Sequence, residues 1–246
     1  MHADIKNDQV EITFFVPCYN EENNILKTIT TILEAIKETT ISSFEILVID
    51  DCSKDKTVQI IEDYVKQNPY VPIRLKKNEI NRGLGYNYVE GAFVGKGKYY
   101  IAIFGDNSEP KETIVTILKE MGKANIVIPY FGDQDNRTQA RRIISKTFVC
   151  LVNILSGCHL RYYNGPVLHL RYNVMRWHSN TLGFAYQAEL ITQLLVHGES
   201  YREVQISNLD REGGLSKAFT IKNGLSVTHS LFQIFCKRLR RILFRV

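Results

Sequence analysis

No C-x-x-C pair occurs in this chain; its five cysteines, Cys18, Cys52, Cys150, Cys158 and Cys236, are scattered. That spacing offers no zinc site and no disulfide framework, and the expectation is reduced thiols in a cytosolic protein. Long apolar runs are also missing: none approaches the roughly 18 residues of a membrane-spanning helix. The first residues, MHADIKNDQ, lack the basic-then-apolar order of a secretory signal. G-x-x-x-x-G-K-[ST] is absent, which argues against a P-loop. A full G-x-G-x-x-G after the first strand is absent too, which argues against an NAD enzyme. There is no internal repeat, no low-complexity linker and no marked domain boundary. What is present is a chain of 246 residues, 44% of them hydrophobic, which is enough to bury a real core.

The net charge is +5, and it is unevenly placed. His229–Val246 holds Lys237, Arg238, Arg240, Arg241 and Arg245 and no acid. That stretch carries the whole excess, so the rest of the chain is formally neutral. The basic character belongs to the tail, and a nucleic-acid-binding face is not expected.

Apolar runs alternate with helical stretches. Strands are predicted at Glu11–Val16, Phe44–Ile49, Ile73–Lys76, Tyr99–Phe104 and Asn125–Pro129. Helices are predicted at Glu22–Thr39, Thr57–Gln67, Gly85–Gly95 and Lys111–Met121. This rhythm implies an α/β fold, with a mostly parallel sheet and helices on both faces. The early strands are continuous apolar runs, as strands buried on both sides require. Beyond Pro129 the pattern loosens. Phe131–Gln139 reads as a polar, mobile loop, Ala140–Leu155 as a long helix and Leu160–His178 as irregular. Tyr186–His197 reads as a helix, Tyr201–Ile206 as a short strand and Ser207–Ser216 as a polar loop. The reading is one domain over residues 1–220, with a donor half to about 130 and an acceptor half after it, then a helical tail over 221–246.

Three strand ends carry the chemistry. VPCYNEENNI (Val16–Ile25), ILVIDDCSKDKT (Ile46–Thr57) and YYIAIFGDNSEP (Tyr99–Pro110) each stop abruptly on acids or amides. In an open α/β sheet the carboxyl ends of parallel strands line the ligand crevice. Polar tips on three such strands describe a nucleotide-and-metal site. Asp51 can accept hydrogen bonds from a base or ribose, while Ser53 and Asp55 suit helix capping. Asp106 can bring a hard divalent cation, magnesium or manganese, to a pyrophosphate, with Asn107, Ser108 and Glu109 as further oxygens. The competing reading makes Asp106–Ser108 the cap of the next helix. In Asn81–Gly85 (NRGLG), Gly83 allows close backbone approach and Arg82 can pair with phosphate. Arg141, Arg142 and Ser145 open the long helix, where they can hold an acceptor phosphate. Arg211 and Lys217 lie in a charged, glycine-containing loop that can close on a leaving diphosphate.

Taken together, these segments resemble the family 2 glycosyltransferases, which have a GT-A fold, and most of all those that charge a polyprenyl phosphate. The resemblance rests on PCYNEE (Pro17–Glu22), VIDDCSKDKT (Val48–Thr57), NRGLG, GDN (Gly105–Asn107), RRIIS (Arg141–Ser145), YQAEL (Tyr186–Leu190) and REGGLSK (Arg211–Lys217). It implies that Pro17, Tyr19, Glu21 and Asp51 hold the nucleotide of a UDP- or GDP-sugar. It places Asp106 at the second acid of the family's Asp-x-Asp metal motif, with Phe104 where the first acid would stand. Relatives often carry an acid near Arg161, so the base is sought at Glu189, and second at Asp210. The implied reaction is an inverting transfer, most simply to a polyprenyl phosphate, which is already anionic and needs little base help. A saccharide or protein acceptor, or a weakly catalytic nucleotide-sugar-binding member, remains as the alternative. A nucleotidyltransferase shares the sheet pattern, but the acidic VPCYNEEN loop counts against it.

In the tail, Leu231, Phe235, Leu239, Ile242, Leu243 and Val246 share one helical face at about 100° per residue, and the basic residues take the other. A helix of this kind suits an anionic membrane surface. The expected location is therefore peripheral, on the cytoplasmic face, and leaves room for a homo-oligomer. The alternative packs the apolar face on the domain and leaves the basic residues in water.

Overall fold

The structure, a computed structural model, describes residues 10–132, 138–177, 183, 185–206 and 221–244. The elements run β1 (Ile12–Cys18), α1 (Ile25–Lys37), β2 (Phe44–Asp50), α2 (Thr57–Gln67), β3 (Ile73–Lys77), α3 (Leu84–Val94), β4 (Tyr99–Ala102) and α4 (Lys111–Leu118). They continue with β5 (Ile126–Phe131), α5 (Gln139–Ser156), β6 (Leu168–Leu170), α6 (Arg171–Arg176), α7 (Tyr186–Val196), β7 (Tyr201–Ile206) and α8 (Ile221–Phe244).

One seven-stranded sheet has the order β3-β2-β1-β4-β6-β5-β7. Strands β1, β2, β3 and β4 are parallel, β5 is parallel to β7, and β6 runs antiparallel to both neighbours. The chain builds outward from β1 through β2 to β3, then returns to place β4 on the other side of β1. That reversal is the switch point where open α/β sheets hold ligands.

Side chains alternate across the strands, so the sheet has a core on each face. Ile12, Phe14, Val16, Ile46 and Val48 point toward α1, α2 and α4. Phe15, Leu47, Ile49 and Tyr100 point the other way, toward α3, α5, α7 and α8. Beneath the second face Tyr100 stacks on Phe15 at 5.7 Å between ring centres, and Tyr88 meets Tyr100 edge-on at 5.1 Å. Gly91 of α3 lies directly on this pair: a Cβ there would fall 2.4 Å from the Tyr100 hydroxyl oxygen and 2.9 Å from Phe15.

Two differences from the sequence reading stand out. Leu160–His178 is not irregular throughout, because it contains β6 and α6. A three-residue strand is too short to show a period, and its partners supply the order instead. The second difference concerns the alternative offered for α8, an apolar face packed on the domain. Ile234 and Ser230 are buried, and Lys237, Arg238 and Arg241 turn toward α7 and α5. Phe232, Phe235, Leu239, Ile242 and Leu243 face outward. The packing is the reverse of an apolar face laid on the domain with its cations in water.

Candidate active site

The tips of β1 and β2 are stitched together by their own polar side chains. Asn20, in the left-handed region at φ 58°, donates its N–H to Ser53 Oγ at 2.9 Å and accepts from Lys54 N–H at 2.7 Å. The Glu21 N–H donates to Thr57 Oγ1 at 2.8 Å, and the Glu22 N–H to Asp55 Oδ2 at 3.1 Å. Asp55 also accepts the Thr57 N–H at 3.0 Å, a local turn at the start of α2. These bonds fix the loop that carries Pro17, Tyr19 and Glu21, and Tyr19 remains 38% exposed beside the crevice.

Asp51 is only 6% exposed. Its Oδ1 accepts the Arg82 N–H at 2.8 Å and Asn78 Nδ2–H at 2.9 Å, and its Oδ2 accepts the Gly83 N–H at 2.9 Å. Burial by itself would push this carboxyl up. The Arg82 N–H, the amides of Asn87 and Asn78 and the Gly83 N–H outweigh it and hold Asp51 below the ordinary carboxylate range. In this structure the carboxylate anchors the Asn81–Gly85 loop at the N-terminus of α3, where the helix dipole favours an anion. Gly83 has φ 84° and open space around its missing side chain, so it is there for its backbone conformation and not for close packing. The Arg82 guanidinium is free of that anchor and lies 4.8 Å over the Tyr86 ring.

The third tip pairs back onto β1: Ile103 N–H donates to Phe15 O at 2.9 Å and Gly105 N–H to Pro17 O at 3.2 Å. Asp106 therefore stands beside the β1 loop, and its Oδ1 accepts the Ser108 N–H at 3.2 Å. The oxygens of three residues expected near a cation are committed elsewhere. Thr31 Oγ1 donates to Asn107 Oδ1 at 3.0 Å, Ser108 Oγ to Glu109 Oε1 at 3.0 Å, and Phe104 N–H to Glu109 Oε2 at 3.2 Å. Burial raises the Glu109 carboxyl to about 7. Glu109 and Asn107 thus hold the loop in shape. The capping alternative also fails, because α4 starts after Pro110 with no side-chain cap.

A second concavity lies against α5, past the end of β5. Since β5 runs parallel to β4, it opens at the same end of the sheet as the three tips. The cavity encloses about 600 Å³. Its polar walls come from Arg142, Ser145, Lys146, Asn153, His159 and Arg161. Arg142 and Ser145 were expected there, and Arg141 is not among the lining residues. Adjacent helical residues diverge by about 100°, while residues three and four apart share a face. Arg142 therefore finds Ser145 and Lys146 beside it; Arg141 also shares a face with Ser145, but on the side away from Lys146, and does not line the cavity. That spacing is the signal by which Lys146 could have been found. Arg161 comes from the loop before β6, with its guanidinium 4.5 Å over the Tyr130 ring and its N–H bonded to Glu203 Oε1 at 2.7 Å. No local pattern pointed to it, because a fold contact brings it to α5.

Glu189, expected as a base, is fully buried on α7. Lys237 Nζ of α8 holds its Oε1 at 2.7 Å and also reaches Gln193 Oε1 at 2.8 Å. A carboxylate enclosed this way and paired with an ammonium has no open approach for a substrate proton. The catalytic assignment of Glu189 is corrected to a structural pin between α7 and α8. Asp210, Arg211 and Lys217 lie outside the described residues. Among the described residues there is no cluster of three or more His, Cys, Asp or Glu arranged for a metal, and no helix long and apolar enough to cross a membrane.

A family model described as glycosyl transferase family 2 matches residues 13–177. A dolichyl-phosphate beta-glucosyltransferase of Dictyostelium discoideum is 30% identical over 105 residues, 41% of this chain and 32% of that protein. A dolichol-phosphate mannosyltransferase of Saccharomyces cerevisiae is 26% identical over 143 residues, 56% of this chain and 53% of that protein. The chain thus spans about a third to a half of the length of these curated relatives. Among solved structures, glucosyl-3-phosphoglycerate synthase of Mycobacterium tuberculosis, in complex with Mn2+, UDP-glucose and phosphoglyceric acid, superposes with a TM-score of 0.68 at 13% identity, covering 92% of this chain and 80% of that one. A mannosyltransferase of Pyrobaculum calidifontis, in complex with GDP-mannose and Mn2+, gives 0.63 at 14% identity, covering 94% and 65%. The fold is GT-A, and the chain belongs to glycosyltransferase family 2.

Proposed function

We propose that this chain is an inverting glycosyltransferase that moves a sugar from a UDP- or GDP-linked donor to a polyprenyl phosphate, working as a peripheral protein on the cytoplasmic face of a membrane. The observation that carries the acceptor assignment is the cavity on α5, where Arg142, Lys146 and Arg161 gather around Ser145 at the same end of the sheet as the donor tips. Three cationic side chains lining one cavity with a hydroxyl suit a phosphate monoester. The two curated relatives named above are both dolichyl-phosphate sugar transferases, in agreement with that acceptor.

In this reading Pro17, Tyr19, Glu21 and Arg82 receive the nucleotide and Asp51 positions the Arg82 loop. An acceptor phosphate oxygen attacks the anomeric carbon, the bond from that carbon to the donor phosphate oxygen breaks, and the nucleoside diphosphate leaves with the electron pair. An ionised phosphate needs no strong base, which agrees with Glu189 being locked to Lys237. Glu109 is turned inward, so Asp106 is the carboxylate of the β4 tip assigned here to the cation. A magnesium-like cation commonly binds through one or two carboxylates plus substrate phosphates, so Asp106 fits a site that the diphosphate completes. When bound, such a cation neutralises charge on the departing diphosphate. Arg211 and Lys217 are proposed to act on that same group.

The test incubates the full chain with radiolabelled UDP- and GDP-sugars, manganese and a polyprenyl phosphate, and counts label in the organic phase. Label is expected from one nucleotide, and Asp106→Ala should lower it about 100-fold or more with the melting temperature unchanged. Transfer to free saccharide or protein instead would overturn the acceptor assignment. A second reading, a nucleotide-sugar-binding member with little turnover, draws on Phe104 in the place of an acid; it predicts stabilisation by a nucleotide sugar without transfer.

A further inference from the structure

Lys237, Arg238 and Arg241 of α8 face the protein, while most of its apolar side chains face solvent. Arg238 donates to Ile154 O, Arg241 reaches Ser156 O at 3.5 Å, and Lys237 is held by Glu189. Leu225, Phe232, Phe235, Leu239, Ile242 and Leu243 are left 41–68% exposed, on one arc of about 100°. An amphipathic helix that docked only for folding would bury this stripe.

Helix α5, packed against α8, repeats the pattern. Its Ile143, Ile144, Leu151 and Ile154 are 41–62% exposed, and Thr147 and Cys150 complete the same outward arc, so no charge interrupts it. Arg142 and Lys146 are exposed along one edge of that arc, and Arg240 is exposed on α8. Neither helix contains an Asp or a Glu. Ile154 and Cys150 also line the basic cavity, so the apolar surface runs into the cavity mouth.

We infer that the outward faces of α5 and α8 together form a surface that beds into the headgroup–acyl boundary of an anionic bilayer. The contact is a two-helix face and not the tail alone. It brings the mouth of the α5 cavity to headgroup depth. The basic border selects this occupant. Anionic headgroups complement Arg142, Lys146 and Arg240, whereas a self-complementary dimer through these faces would bring like charges together with no acid from either helix between them. Contiguous apolar patches of this kind, rimmed by charge, mark interaction sites. The inference rests on the membrane-surface reading above, and its test reads lipid partition, which a transfer assay does not measure.

The full chain is sedimented with phosphatidylcholine vesicles, with and without phosphatidylglycerol. Binding is expected to the anionic vesicles and to weaken with salt. Ile143→Gln with Leu151→Gln on α5, and separately Phe232→Gln with Leu239→Gln on α8, should each lower the partition coefficient about 10-fold with unchanged melting temperature. As a second readout that keeps the faces apolar, Ile143→Trp and Leu239→Trp should each add emission that brominated acyl chains quench, over the background of Trp177 in the parent chain. Unchanged binding of the α5 pair, or an unquenched tryptophan at position 143, would overturn the shared face. So would a wild type that elutes as a dimer and ignores vesicles. Vesicle binding by a chain that glycosylates no lipid would support the face and refute the acceptor assignment alone.

Discussion

Replacing Asp51 with Asn separates an anchor from a mere neighbour. The carboxylate accepts three N–H groups, two on Oδ1 and one on Oδ2. An amide has one acceptor. With its nitrogen on the Oδ2 side it opposes the Gly83 N–H; flipped, it opposes the Arg82 N–H and the Asn78 amide. Either orientation loses at least one charge-assisted bond, worth about 1.5–3 kcal/mol, and leaves a donor facing a donor. The expected loss is about 3 kcal/mol, measured as a lower urea midpoint at neutral pH with an unchanged slope. The sign with pH follows from the depressed carboxyl. Its stabilisation is present above the unfolded-state value of about 3.8 and is lost as pH falls through the folded-state value. The gap between wild type and Asp51→Asn should therefore narrow in acid. Nucleotide affinity should fall too, because the Arg82 loop loses its anchor. Equal midpoints at neutral pH, or a gap that persists in strong acid, would refute the reasoning.

Other outcomes follow from single contacts. Lys237→Met removes the Lys237 ammonium from the fully buried Glu189 and should cost about 3–5 kcal/mol, with Lys237→Met/Glu189→Leu recovering most of it in a chemical melt. A Cβ at Gly97 would meet the backbone of Ile12 and Thr13 at 2.5 and 2.3 Å, so Gly97→Ala should lose about 3 kcal/mol or more and express poorly. Burial pushes His169 down to about 3, so the folded state keeps it neutral. Its stability contribution is full above the unfolded value of about 6.5 and drains by about 1.4 kcal/mol per pH unit below it. His169→Leu should flatten the melting-temperature profile between about pH 6 and pH 4, the range below the free imidazole value.

The first half of the chain was legible because its signal is local. Continuous apolar strands that stop at Glu21, Asp51 and Asp106 state both the sheet and the end of it that matters. The second half was less so. Three residues of β6 carry no period, and only pairing with β4 and β5 makes them a strand. The RRIIS segment pointed to the helix that lines the basic cavity, but choosing Arg142 over Arg141 required knowing which side of α5 meets it. Glu189 looked like a candidate base because a sequence cannot show Lys237 arriving from 48 residues away. A helical wheel of α8 groups Phe235, Leu239, Ile242 and Leu243 on one face and is silent on which face the protein takes. Glu109 beside Asp106 looked like a ligand; only the fold reveals that its oxygens close their own loop.

Strand β6 has a consequence for how such a chain can diversify. It meets β5 through just Ile126–His169 and Val127–Leu168, whereas β1 and β2 match along seven residues. The sheet is therefore two parallel blocks joined across a narrow antiparallel seam, with the donor tips on one block and the α5 cavity beyond the other. Sequence change on the far side of the seam can reshape the α5 cavity, the acceptor site under the proposed function, while the register of β3, β2, β1 and β4 stays as it is. Under the proposed function, one donor-binding block can in this way serve many different recipients.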